Sequence, residues 1–146
     1  MNQVNPDILC LQETKVMDGS FPIEPFEKLG YSAEFYGQKS YNGVAIISKI
    51  KAKNVKKGFY GCTDFEPNID IFQDQKRLIS AEINGIKIIN VYVPNGSSLE
   101  SDKFEYKINW LSCLASFLDE QEKKEELICL MGCLLYTSPS PRDSCA

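Results

Sequence analysis

Apolar and polar positions alternate along this chain in short blocks, most of them the length of a single strand. Residues 7–12, entered through Pro6, read as a buried strand, because proline bars a helix from running unkinked into Ile8-Leu9-Cys10-Leu11. That run breaks abruptly into Gln12-Glu13-Thr14-Lys15. Pro22 and Pro25 bracket a turn-rich stretch, and residues 26–29 look like one helical turn stopped by Gly30. Residues 31–36 alternate as a strand does, and Gly43 leads into a β-branched strand at 44–48. Residues 50–76 read as a long polar loop. Strands at 77–83 and 86–93 are separated only by Asn84-Gly85, both tolerant of positive φ, which is a strong hairpin signal. Pro94-Asn95-Gly96 then closes the second strand in a turn.

The period changes after that turn. Phe104, Ile108, Leu111, Ala115 and Leu118 recur at steps of three and four, which predicts a helix over 102–125. Trp110, Leu114 and Phe117 widen its apolar stripe, and the far end is charged. A last buried strand is expected at 127–131, followed by Gly132. Strands combined with one long amphipathic helix make an α/β (α+β layered) domain. The simplest arrangement puts 7–12, 44–48, 77–83, 86–93 and 127–131 in one sheet, with the helix over one face.

Composition narrows the picture. The chain has 146 residues, enough for one domain with a real core, and 43% of them are hydrophobic. A formal net charge of −4 gives no overall field toward nucleic acid or anionic membrane. Lys51, Lys53, Lys56 and Lys57 form a local basic cluster, more economically read as a solvated face than as a DNA groove. No apolar run has the length of a membrane span and Met1 opens no signal-peptide pattern, so a soluble, cytoplasmic protein is expected. Six cysteines without a C-x-x-C pair, and no histidine at all, argue against zinc and remove the commonest general base at neutral pH. Cys10 and Cys129 read as small buried hydrophobes.

Beyond Gly132 all periodicity stops. Read back into codons, residues 133–143 (CLLYTSPSPRD) resemble the transposon-end adapter of sequencing libraries, translated in frame. Residues 133–146 are therefore expected to be an adapter-derived tail and are set aside from functional reasoning.

Taken singly, the candidate chemical residues are ambiguous. Glu13 at a strand end could be a surface residue, a partner of Lys15, or a ligand for a hard cation. Tyr92 could pack in a core or reach a ligand. Asn95 suits a turn for backbone reasons alone, and Lys103 and Lys107, one helical turn apart, suit a solvated stripe.

Together they carry more. DILCLQETK, YNGVAIISK, RLISAEINGIKIINVYVPNG and KFEYKINWL occur in an order and spacing that resemble the exonuclease III-type apurinic/apyrimidinic endonucleases of the endonuclease/exonuclease/phosphatase superfamily. The resemblance covers residues 5–132. It implies about half of a four-layer α/β sandwich of the deoxyribonuclease I-like type, a partial domain over 1–132 truncated at both ends. By that resemblance Glu13 is a magnesium ligand (manganese being the natural substitute), and Tyr92 contacts the scissile phosphate. Asn95 donates to the phosphate backbone, while Lys15, Tyr41, Lys103 and Lys107 approach the phosphates of duplex DNA. The family's W-N-V-N-like strand, expected before residue 5, and its G-D-F-N-like motif, expected after 131, are missing from the sequence. The second sheet is expected to be missing with them, so the chain by itself is expected to be inactive and aggregation-prone or molten. The parent would be a monomer hydrolysing phosphodiesters at abasic sites or 3′ ends. The alternatives are a superfamily phosphatase with a small substrate and a non-catalytic nucleic-acid-binding module, the latter disfavoured by the low net charge.

Overall fold

The computed structural model describes residues 4–60, 72, 74–124 and 126–134. Its strands lie in two sheets. In the first, β1 (Ile8–Gln12) and β2 (Ser32–Tyr36) flank β3 (Val44–Ser48), all antiparallel. In the second, β4 (Lys53–Lys57), β5 (Leu78–Ile83), β6 (Ile86–Tyr92) and β7 (Leu127–Cys133) follow in that order. The β6–β7 pair is parallel, and α2 (Asp102–Glu122) makes the crossover that a parallel pair requires. A 3₁₀ turn at Asp18–Ser20 and the short helix α1 (Glu24–Glu27) link β1 to β2.

Strand alternation now accounts for the layers. Val44 and Ile46 face the second sheet, packing with Ile79, Ala81, Ile83 and Ile88, while Ala45 and Ile47 face outward onto Tyr31, Phe21 and Phe26. A strand buried on both faces, as β3 is throughout, must lie in the middle of a layered molecule. On β6, Ile88 looks between the sheets, whereas Ile89 and Val91, with Val93 just past the strand, pack against α2. The order is thus α1, first sheet, second sheet, α2: the half-sandwich implied by the family resemblance.

Three expectations are corrected. The five strands placed in one sheet divide between two, because alternation identifies a buried face but not the face it will meet. The premise of a missing sheet, and of aggregation following from it, therefore does not hold. The stretch read as loop contains β4, a lysine-rich edge strand whose single apolar residue, Val55, joins the inter-sheet core. Lysines on an edge discourage further pairing, which is why the strand carries so little hydrophobic signal. The helix ends at Glu122, and its buried face is rotated from the expected one: Trp110, Cys113, Leu114 and Phe117 are buried, whereas Ile108 is 45% exposed. Phe59 explains the rotation, seating its ring edgewise between Trp110 at 5.3 Å and Phe117 at 5.9 Å. Ser101 caps this helix by accepting from the Phe104 N–H at 3.2 Å.

The hairpin falls where expected, with Ile83 paired to Ile86 and Asn84 at φ 51°. Strand β7 runs through Cys133, which pairs with Tyr92, so it enters the segment read as tail; residues 135–146 lie outside the described residues.

The position of the helix face is directly testable. Trp110→Ala should cost about 3–5 kcal/mol in urea unfolding followed by circular dichroism. Ile108→Ala on the same helix should stay within about 0.5–1 kcal/mol of the parent. Comparable losses from both would place the buried face elsewhere.

Candidate active site

The site begins with a buried amide. Asn90, 0% exposed, lies on the face of β6 that looks into the space between the sheets. Its Nδ2 donates to the carbonyls of Leu11 at 2.8 Å and Ala45 at 2.9 Å, on two strands of the opposite sheet. Its Oδ1 accepts from Gln12 Nε2 at 2.8 Å. A buried amide with its donors and acceptor engaged is a strong positional constraint, since each broken contact would strand a polar group away from water. The residue after Gln12 is Glu13, and two residues past Asn90 on the same strand face is Tyr92.

At Glu13 the strand leaves regular geometry. Glu13 and Lys15 take left-handed φ values of 55° and 56°. Continued alternation would send Glu13 to the same side as Leu11; the left-handed φ instead brings its carboxylate to the seam between the sheets. Gly43 holds the segment in place, its carbonyl accepting from Thr14 N at 3.3 Å. A Cβ at Gly43 would fall 2.1 Å from Thr14 Oγ1, at a backbone φ of +97°.

The Tyr92 hydroxyl donates to Glu13 Oε1 at 2.5 Å, a short bond of the kind expected for a hydroxyl meeting a carboxylate. Lys15 Nζ stands 3.7 Å from Glu13 Oε2 in an exposed pair that contributes little stability. Behind Tyr92, the Arg77 guanidinium lies over the ring with Cζ 4.7 Å from its centroid. Burial pulls the Arg77 pKa below the usual arginine value, opposed by Tyr106, Tyr92 and Glu13, which favour its charge.

Next to this cluster opens a pocket of about 340 Å³, lined by Gln75, Arg77, Asn95, Lys103 and Tyr106 among others. Asn95 Oδ1 accepts from Ser97 N at 3.0 Å, fixing the turn that forms one wall. The Tyr106 hydroxyl is buried and has no hydrogen-bond partner among the described residues. Burial raises its pKa from 10.0 to about 12, with Arg77 pulling it down and Asp74 pushing it up.

The sequence-derived candidates distribute unevenly. Glu13 and Tyr92 touch, and Asn95 and Lys103 share the pocket that Arg77 connects to them. Lys15 flanks Glu13. Tyr41 is 71% exposed on the loop entering β3, where it joins none of these contacts. Lys107 departs from the expected pattern: at 4% exposure it is buried, and its Cδ lies 3.1 Å from where a Cβ on Gly96 would be, so the Pro94-Asn95-Gly96 turn rests on its stem. Lys103 and Lys107 therefore do not form one solvated stripe. Sequence reading missed Gln12, Asn90 and Arg77. The signal was present for Asn90, a lone amide among Ile88, Ile89 and Val91, at a position where alternation demands burial.

Among the described residues no three acidic, cysteine or histidine side chains gather into a metal-holding group. Glu13 supplies one exposed carboxylate, which suits one ligand of a magnesium ion that keeps waters and phosphate oxygens in its remaining positions. Among the described residues no helix is long and apolar enough to cross a membrane.

Two sheets joined face to face, with an acidic strand end and a tyrosine meeting at their seam, define the class, and the chain matches the Endonuclease/Exonuclease/phosphatase family over residues 1–141. It belongs to that family. It is 35% identical over 148 residues to exodeoxyribonuclease III of Haemophilus influenzae, a match covering 98% of this chain and 52% of that relative. Among solved structures it is similar to an AP endonuclease from Archaeoglobus fulgidus, with a TM-score of 0.80 and 38% identity, covering 96% of this chain and 51% of the other. It is also similar to the 3′ phosphatase NExo from Neisseria bound to a product DNA hairpin, with a TM-score of 0.78 and 35% identity over 94% of this chain and 50% of that one. The chain thus spans about half the length of these relatives.

Two outcomes follow from the geometry. Asn90→Leu removes the cross-sheet donor of the Leu11 and Ala45 carbonyls and the acceptor of Gln12 Nε2, and should cost about 2–3 kcal/mol in urea unfolding. A loss below about 1 kcal/mol would show that the amide does not hold the sheets together. Tyr106→Phe removes a hydroxyl with no partner among the described residues and should be close to neutral at pH 7. Because the folded pKa of Tyr106 is raised, the unfolded chain loses this proton first, so the contribution of Tyr106 is intact below pH 10 and is lost as pH climbs toward about 12. Tyr106→Phe should therefore flatten the alkaline fall in stability over that window, measured by urea midpoints at stepped pH.

Proposed function

We propose that this chain is part of a magnesium-dependent DNA-repair nuclease of the exodeoxyribonuclease III/AP endonuclease type, acting on duplex DNA at abasic sites or 3′ ends. The observation that carries the reading is the meeting of the Glu13 carboxylate and the Tyr92 hydroxyl at 2.5 Å, beside a pocket lined by Arg77 and Lys103. Glu13 would hold Mg²⁺, or Mn²⁺ in its place, which when bound supplies charge stabilisation to phosphoryl oxygens. Tyr92, which donates to Glu13 in this structure, would turn its hydroxyl to an oxygen of the scissile phosphate. Asn95 uses its oxygen within the turn and so has its NH₂ left to donate to the backbone phosphate. Lys15, Lys103 and the exposed Tyr41 would approach neighbouring phosphates, and Lys107 would act from beneath the Asn95 turn.

The parent protein is proposed to be a cytoplasmic monomer, with the native domain occupying residues 1–132 and an adapter-derived tail over 133–146, of which Cys133 completes β7 beside Tyr92. A second reading, removal of a 3′-terminal phosphate from DNA, is favoured by the likeness to the Neisseria 3′ phosphatase.

With Glu13 as its one contributed carboxylate ligand, this chain alone should show no magnesium-dependent cleavage of abasic-site duplex above a blank. In the full-length protein, Glu13→Gln should remove about 3–4 kcal/mol of transition-state stabilisation and slow cleavage by roughly two to three orders of magnitude. Lys103→Ala should mainly weaken binding and lower the salt dependence by about one ion. Cleavage at the parental rate by Glu13→Gln would remove Glu13 from the metal site. Duplexes ending in a 3′ phosphate, assayed in parallel with abasic ones, separate the two readings.

A further inference from the structure

Arg77 and Tyr92 face one another across β5 and β6, one step beyond the Leu78–Val91 pair. The Tyr92 N–H donates to the Arg77 carbonyl at 2.8 Å. The Arg77 side chain then returns to the same residue, Nη1 donating to the Tyr92 carbonyl at 3.2 Å while the guanidinium lies over the Tyr92 ring. Its remaining edge is held too, with Nε donating to Gln75 Oε1 at 2.7 Å. The guanidinium is therefore fixed on three sides, and its plane serves as a backstop for the aromatic ring.

That arrangement acts on the hydroxyl. These two bonds to the Tyr92 main chain, one with the Arg77 backbone and one with its side chain, fix the backbone from which the ring projects, and the stacked cation restricts rotation of the ring. With both degrees of freedom limited, the phenol oxygen is delivered to Glu13 Oε1. An arginine needed only to finish the strand pair would need no contact with the ring. Lysine could not do this work, having neither the planar face nor the separate donors for Gln75 and the Tyr92 carbonyl.

We propose that Arg77 is a positioning residue, holding the Tyr92 ring so that its hydroxyl meets Glu13. The inference rests on the reading above only in taking Tyr92 as the phosphate-contacting group; the arrangement itself can be read without DNA or metal.

The test is spectroscopic and uses the 146-residue chain. With tyrosine ¹³C-labelled at ring carbon ζ, the Tyr92 signal is identified by its loss in Tyr92→Phe. Glu13→Gln should move that signal in the parent background, because the hydroxyl is bonded to the carboxylate. In Arg77→Met, which keeps an apolar stem but no guanidinium, Glu13→Gln should leave it nearly unmoved, and Arg77→Lys should not restore the response. Should Arg77→Met fail to fold, the parent chain decides. The Arg77 Nε–H signal, identified by its loss in Arg77→Lys, should sit upfield under the Tyr92 ring and relax downfield in Tyr92→Leu. An undiminished response to Glu13→Gln in Arg77→Met, or an Nε–H signal indifferent to Tyr92→Leu, overturns the proposal. Since no readout involves DNA cleavage, failure of the nuclease reading would leave these results unchanged.

Discussion

The buried amide of Asn90 is the constraint on which the rest of the structure turns. Two sheets pressed together by Val44, Ile46, Ile79 and Ile88 could slide over one another at little cost, because apolar contact is nondirectional. Asn90 removes that freedom by bonding to two carbonyls and one side-chain amide of the facing sheet. Displacement by even one residue would break all three of these cross-sheet bonds. The hydrophobic interface provides most of the adhesion, and the amide selects one alignment.

That alignment matters because the two halves of the candidate site come from different sheets. Glu13 extends from β1 in the first and Tyr92 ends β6 in the second, 79 residues apart in sequence. Gln12, directly before Glu13, and Asn90, two residues before Tyr92 on the same strand face, act as the shared anchor. The left-handed backbone at Glu13 is tolerated because its neighbours are held: Gln12 by Asn90, and Lys15 N by the Asn42 carbonyl at 2.8 Å. Strain at the chemical residue is thus offset by order on either side of it.

Much of this was legible in the residues themselves. Ile83-Asn84-Gly85-Ile86 specifies its hairpin through local backbone preference, and Val44–Ser48 announces a doubly buried strand by composition. The quoted motifs also placed Glu13 and Tyr92 on one site before any distance was available. What could not be read was nonlocal. Whether Ile46 meets Ile88 across a gap or sits beside it in the same sheet depends on partners far along the chain. Strand β4 was hidden because edge position, rather than hydrophobicity, defines it. Lys107 was misjudged because its burial depends on the Gly96 turn folding back over the helix. Arg77 carries no local mark at all, since its role lies in the side chain across the ladder.

The order of strands has a consequence during synthesis. All three strands of the first sheet lie within residues 8–48, so this sheet can assemble while the remainder is still being made. Its inner face, formed by Ile8, Cys10, Val44 and Ile46, has nothing to cover it until β5 and β6 emerge. At ordinary translation rates that interval lasts on the order of seconds, far longer than a hairpin needs to form. The nascent chain thus passes through a stage in which these three paired strands display a greasy surface to whatever folding machinery surrounds them, and a slow ribosome lengthens it.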